Sequence, residues 1–110
     1  AALEAREFAK EADFFSVGTN DLTQYALAQD RQNAALERFF DPCHPALLKL
    51  LRSIAGAAQK AGIWAGICGE LAGDAALAGT FLDMGYRELS MAPGRILEVR
   101  KTICEREETP

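Results

Sequence analysis

Apolar positions along this chain alternate between short runs, which suit buried strands, and stripes at helical spacing. Residues 1–11 combine Leu3 and Phe8 with good helix formers and charges, which predicts the end of a helix whose first turns precede Ala1. Residues 14–17 form an apolar run closed by Gly18, the pattern of a buried strand. Asn20 or Asp21 is placed to cap a brief helix through Leu27, after which polar residues 29–33 lead into the loop Asp41-Pro42-Cys43-His44-Pro45. Pro45 suits the first turn of the next helix, whose apolar stripe is Leu47, Leu48, Leu50, Leu51, Ile54, Ala57 and Ala58, with Gly62 as its stop. Residues 63–67 predict a second buried strand, and residues 72–84 a helix of small residues ended by Gly85. A shorter third strand is expected within residues 86–91, and Pro93 opens a last helix with Ile96, Leu97, Val99 and Ile103 facing inward.

The order is therefore a helix followed by three strand–helix units. Strands alternating with helices imply parallel strands joined by crossovers. Three parallel strands cannot close a barrel, and a (β/α)₈ barrel takes about 250 residues. The expected fold class is thus α/β, either a small open domain or part of something larger, and the uncapped first helix favours the second.

Composition narrows the class. Apolar residues make up 49 % of the 110 and charged residues 25 %, the profile of a soluble globular domain, with disorder expected only in the charged tail, residues 105–110. A net charge of −4, with basic residues scattered among acids, argues against a sequence-independent grip on nucleic acid. No apolar run approaches the roughly 20 residues that cross a bilayer, and residues 1–11 lack the pattern of a secretory signal. Cys43, Cys68 and Cys104 are odd in number and widely spaced, unlike a disulfide framework or zinc site, so a cytoplasmic location is expected.

In parallel α/β proteins ligands bind beyond the carboxyl ends of the strands. Two of the three segments found there are rich in polar groups and glycine: Gly18-Thr19-Asn20-Asp21-Leu22-Thr23-Gln24, and Cys68-Gly69-Glu70-Leu71-Ala72-Gly73-Asp74. Asp21 offers the hard carboxylate oxygens that Mg²⁺ prefers, and Asn20 offers amide donors to a phosphate or carboxylate. Both residue types also cap helices, and spacing alone favours that role. Thr19, Thr23 and Gln24 suit structural hydrogen bonds. Arg31 has a guanidinium suited to paired bonds with an anion, or simply to solvent. Cys68, at a strand end before a glycine, is either an inert packing thiol or a proton donor. His44 suits a capping or packing role at a helix start, and Glu70 and Asp74 suit capping of the helix that follows them.

The first of these segments, preceded by Asp13-Phe14-Phe15-Ser16-Val17, resembles the signature of the phosphoenolpyruvate-utilising enzymes. Gly66-Ile67-Cys68-Gly69-Glu70-Leu71-Ala72-Gly73-Asp74 resembles their second signature, and its Glu-Leu-Ala-Gly-Asp ending points to the phosphotransferase-system branch rather than the dikinase and synthase branch. The resemblance covers residues 3–103 and implies the last part of a TIM (β/α)₈ barrel, its sixth to eighth strands, occupying residues 1–104. It implies Asp21 as a Mg²⁺ ligand in contact with substrate, and Asn20 and Arg31 as substrate-binding residues. Cys68 matches the acid that protonates the enolate of pyruvate. Phosphoenolpyruvate and pyruvate are the implied substrate and product, the phosphocarrier protein HPr the implied partner through a missing N-terminal domain, and a homodimer the implied assembly. No function attaches to Cys43.

The resemblance equally implies what this sequence lacks: a second carboxylate ligand on the preceding strand, further arginines on earlier strands, and a phosphorylated histidine whose motif His44 does not match. The isolated chain is therefore expected to be inactive. Two rival readings are a dikinase or synthase segment, which residues 70–74 oppose, and a non-catalytic half-barrel module that self-associates through its uncovered faces.

Overall fold

The computed structural model describes residues 1–28 and 44–108, so Arg31 and Cys43 lie outside the described residues. A 3₁₀ turn (Ala2–Glu4) leads into α1 (Ala5–Ala9), β1 (Phe14–Gly18) and α2 (Thr19–Ala26). Then come α3 (Pro45–Ala61), β2 (Trp64–Cys68), a 3₁₀ turn (Glu70–Gly73), α4 (Ala75–Met84), β3 (Glu88–Ser90) and α5 (Pro93–Glu108). The three strands form one open parallel sheet in the order β1-β2-β3. The α/β class and the parallel strands match the expectation from sequence; the sheet does not close.

Local chemistry sets the helix ends. His44 caps α3 by accepting the Ala46 N–H at Nδ1, 3.1 Å away, and Pro45 opens the helix. Gly62 ends it at φ 73°, where a side chain would be strained. Gly85 ends α4 in the same way at φ 106°. The helix expected from residue 72 starts later, because the Asp74 carboxylate accepts the Ala76 N–H at 2.9 Å and fixes the start of α4 there. The short third strand falls within residues 86–91 as expected, and Tyr86 belongs to the core rather than to the ladder.

Strand side chains alternate between two faces. Phe15 and Val17 of β1, Ala65 and Ile67 of β2 and Leu89 of β3 pack with Leu47, Leu51, Ile54 and Ala58 of α3 and with Phe81 and Tyr86. The rings of Phe81 and Tyr86 meet edge to face, 6.4 Å between centroids. The opposite face carries register rows: Phe14 beside Trp64; Ser16, Gly66 and Glu88; Gly18, Cys68 and Ser90. Phe14 and Trp64 stack at 4.5 Å, yet Phe14 is 49 % exposed. β1 is thus covered on one face only, contrary to the reading of a fully buried strand, because the described helices that pack on the sheet do so from one side.

The last helix also departs from expectation. Val99 is buried and Ile103 half-buried, but Ile96 and Leu97 are exposed, Leu97 at 79 %. Residues four apart share a helix face and residues two apart do not, so Val99 and Ile103 make the contact stripe while Leu97 turns away from it. The helix continues through Glu105 to Glu108, and Arg106 ties it to Asp83 of α4 by an ion pair.

Candidate functional site

Gly18 and Cys68 are the last registered pair of β1 and β2. Beyond them the chain diverges into α2 on one side and the Gly69 turn on the other, so both polar segments emerge at the same end of the sheet. Two hydrogen bonds join them there. The Thr19 hydroxyl donates to the Cys68 carbonyl oxygen at 3.0 Å, and the Glu70 backbone N–H donates to Asn20 Oδ1 at 3.4 Å.

Asn20 is not a helix cap. Gly18 holds the N-cap position of α2, with no side-chain cap bond, because the helix begins one residue before Asn20. The side-chain oxygen of Asn20 is engaged across the gap between the two turns instead. Accepting from Glu70 N–H also orients the amide, since the oxygen takes the backbone proton and its NH₂ group remains a donor. Thr23 Oγ1 donates to the Thr19 carbonyl at 2.6 Å and Gln24 Nε2 to the Asn20 carbonyl at 3.5 Å, the structural roles expected of both.

Gly69 makes the close approach possible. Its φ of 113° lies where L side chains are rare, and a Cβ there would stand 2.7 Å from Thr19 Oγ1 and 3.3 Å from Asn20 Oδ1. The Cys68 thiol is partly buried; it lies 3.5 Å from the Val17 carbonyl oxygen and receives the Ser16 hydroxyl at 3.9 Å. Ser16 escaped notice in the sequence, although period-two alternation puts it on the face of the sheet that carries Cys68. Asp21 is exposed in the first turn of α2. A shallow concavity beside the Gly69 turn is lined by Asn20, Glu70, Asp74, Ser90 and Arg95, so the segment after β3 contributes to this end of the sheet more than its sequence suggested.

Glu70 starts the 3₁₀ turn, and Asp74 is the cap of α4. Among the described residues no three His, Cys, Asp or Glu side chains gather into a metal site. A Mg²⁺ site that takes one or two protein carboxylates and fills its remaining positions with substrate phosphate and water is compatible with a single exposed aspartate here. No helix among the described residues is long and apolar enough to cross a membrane.

Polar turns that meet beyond the carboxyl ends of adjacent parallel strands mark the edge where α/β proteins generally bind ligands. The chain belongs to the PEP-utilising enzyme family, whose PEP-binding domain it matches over residues 1–108. It is similar to proteins named phosphoenolpyruvate-protein phosphotransferase: 47 % identical to that of Enterococcus faecalis, 46 % to that of Haemophilus influenzae and 45 % to that of Latilactobacillus sakei. Each match spans 103 residues, 94 % of this chain. The chain covers 18 % of the length of these relatives.

Proposed function

We propose that this chain is the C-terminal portion of the barrel domain of a phosphoenolpyruvate–protein phosphotransferase, residues 1–104 supplying its last three strands. The observation that carries the reading is the junction of the two motif turns, Asn20 Oδ1 with Glu70 N–H and Thr19 Oγ1 with the Cys68 carbonyl. The names of the relatives support this branch over a dikinase or synthase segment.

In this reading phosphoenolpyruvate lies beyond the strand ends. Asn20 donates its amide to an anionic oxygen of the substrate, and Arg31 pairs with the carboxylate or phosphate. Asp21 holds Mg²⁺, which when bound neutralises charge on the phosphate. The ester O–P bond breaks as a P–N bond forms to a histidine elsewhere in the full-length polypeptide, leaving the enolate of pyruvate. The Cys68 thiol then gives its proton to the methylene carbon, producing pyruvate and a thiolate that regains a proton from solvent. The phosphoryl group passes on to HPr. The enzyme acts in the cytoplasm and as a homodimer, and this segment alone, without the phosphorylated histidine, does not turn over.

The test compares the isolated chain with the full-length polypeptide that carries it, each given phosphoenolpyruvate, Mg²⁺ and HPr. Pyruvate release is expected only from the full-length protein, and Cys68→Ala in that protein is expected to lower it by about 100-fold or more, the usual scale of a positioned acid. Wild-type pyruvate release by Cys68→Ala, or release by the isolated chain at the full-length rate, would overturn the reading.

A further inference from the structure

Thr19 and Thr23 are buried, 0 % and 1 % exposed. Burying a hydroxyl is unfavourable unless it is hydrogen-bonded, and both are, but in different ways. Thr23 Oγ1 stays within its own helix and donates to the Thr19 carbonyl. Thr19 Oγ1 leaves its helix and donates to the carbonyl of Cys68 on the neighbouring strand. Thr19 stands one residue past the Gly18 N-cap, and its hydroxyl bridges two elements that are about to part.

We infer that Thr19 is a positioning residue for the Cys68 thiol, an inference that rests on the proposed role of Cys68 as proton donor. Gly18 and Cys68 close the ladder between β1 and β2, so the Thr19 hydroxyl is the next bond along, at the point of divergence. It fixes the backbone of Cys68 relative to the helix that bears Asn20 and Asp21. Gly69 makes room for the hydroxyl, because its bare Cα lets Thr19 Oγ1 sit where a Cβ would come to 2.7 Å. Among the described residues the thiol has only soft anchors, Ser16 Oγ at 3.9 Å and the Val17 carbonyl at 3.5 Å. Sulfur is a weak donor and acceptor, so the backbone position of Cys68 decides where the thiol stands. Proton transfer needs hydrogen-bond reach between donor and carbon, and a displacement of about 1 Å costs on the order of 100-fold in rate.

The experiment uses the full-length polypeptide carrying this segment, with Thr19→Val, which keeps the shape and loses the hydroxyl, and Thr19→Ser, which keeps the hydroxyl. Thr19→Val is expected to lower kcat for pyruvate release by about 10- to 100-fold while KM for phosphoenolpyruvate stays within about threefold, the split of an effect on chemistry rather than binding. The rate at which solvent deuterium enters the pyruvate methyl group, which reports proton transfer at that carbon alone, should fall by the same factor. Thr19→Ser should keep both rates within about threefold of wild type. If Thr19→Val folds poorly, Thr19→Ala also removes the hydroxyl and carries the same expectation. Wild-type kcat and exchange in the hydroxyl-free variants, or equal losses in Thr19→Ser, would overturn the positioning role while Cys68→Ala still abolished exchange. Undiminished exchange in Cys68→Ala would instead overturn the proton-donor reading, and this inference with it.

Discussion

The Tyr86 hydroxyl donates a 2.6 Å hydrogen bond to the carbonyl oxygen of Leu51, in the middle of α3. The bond spans the helix layer, tying the approach to β3 to the helix that precedes β2. Tyr86 and Leu51 are both fully buried, so the phenol serves as core packing and as a polar tie at once. It ties the third strand–helix unit to α3.

Burial pushes ionisation of the Tyr86 phenol well above its ordinary value of 10.0. The folded state therefore holds the neutral form after the unfolded chain has begun to ionise, near pH 10. Stability from this group is present in full below that pH and is lost as pH rises further, by at most about 1.4 kcal/mol per pH unit. Urea unfolding from pH 7 to 11 should show a flat region and then a decline. Tyr86→Phe should cost about 1 kcal/mol at pH 7, the net worth of the hydrogen bond, and should flatten the alkaline decline.

Gly69→Ala sets a methyl group against Thr19 Oγ1 at a φ of 113°. Strain of this kind costs about 1–3 kcal/mol, read as a lower thermal midpoint. Gly94→Ala is the matched comparison: its Cβ meets nothing within 4 Å in the first turn of α5. Alanine is the better helix former there, so this variant should be neutral or more stable by up to about 1 kcal/mol. A smaller loss at Gly69 than at Gly94 would remove the steric account of the junction.

Much of the fold was legible because its punctuation is local. Pro45, Gly62 and Gly85 act within a turn of themselves, and Asp74 reaches only to Ala76. Asn20 was misread for the opposite reason. Its partner is the backbone of Glu70, fifty residues further along, and no local rule distinguishes that bond from a cap. The face that Ile96 and Leu97 present depended on where α4 lies, and the open side of β1 on which helices the chain provides. The family motifs singled out Asn20, Asp21 and Cys68 as candidates, whereas Ser16 and the bridging geometry of Thr19 needed the register of β1 against β2.

The open sheet face and the apolar rim beside it, with Leu3, Phe8, Phe14 and Tyr25 exposed, leave apolar surface that water does not favour. The isolated chain is expected to associate at tens of micromolar, on the order of the concentrations at which exposed apolar surface drives association. Sedimentation velocity should detect dimers or larger species, and Phe14→Asn, which breaks the stack on Trp64, should shift the distribution towards monomer. A wild-type chain that stays monomeric at that concentration would refute this expectation.

Asp21 and Asp74 both stand beyond the strand ends, but Asp74 caps α4, one of its carboxylate oxygens accepting the Ala76 N–H. Of these two aspartates, the proposed function assigns only Asp21 to Mg²⁺. Replacing each aspartate by asparagine removes one negative charge and keeps the side-chain shape. Asn caps helices about as well as Asp, so Asp74→Asn should leave the Mg²⁺ dependence of pyruvate release by the full-length polypeptide unchanged. Asp21→Asn should raise the half-saturating Mg²⁺ concentration by at least about tenfold, since even residues one shell away from a metal cost 10- to 100-fold in affinity when altered. A general effect of acidic charge at this end of the sheet would shift both variants equally. Equal shifts, or none at Asp21, would remove it from the metal site.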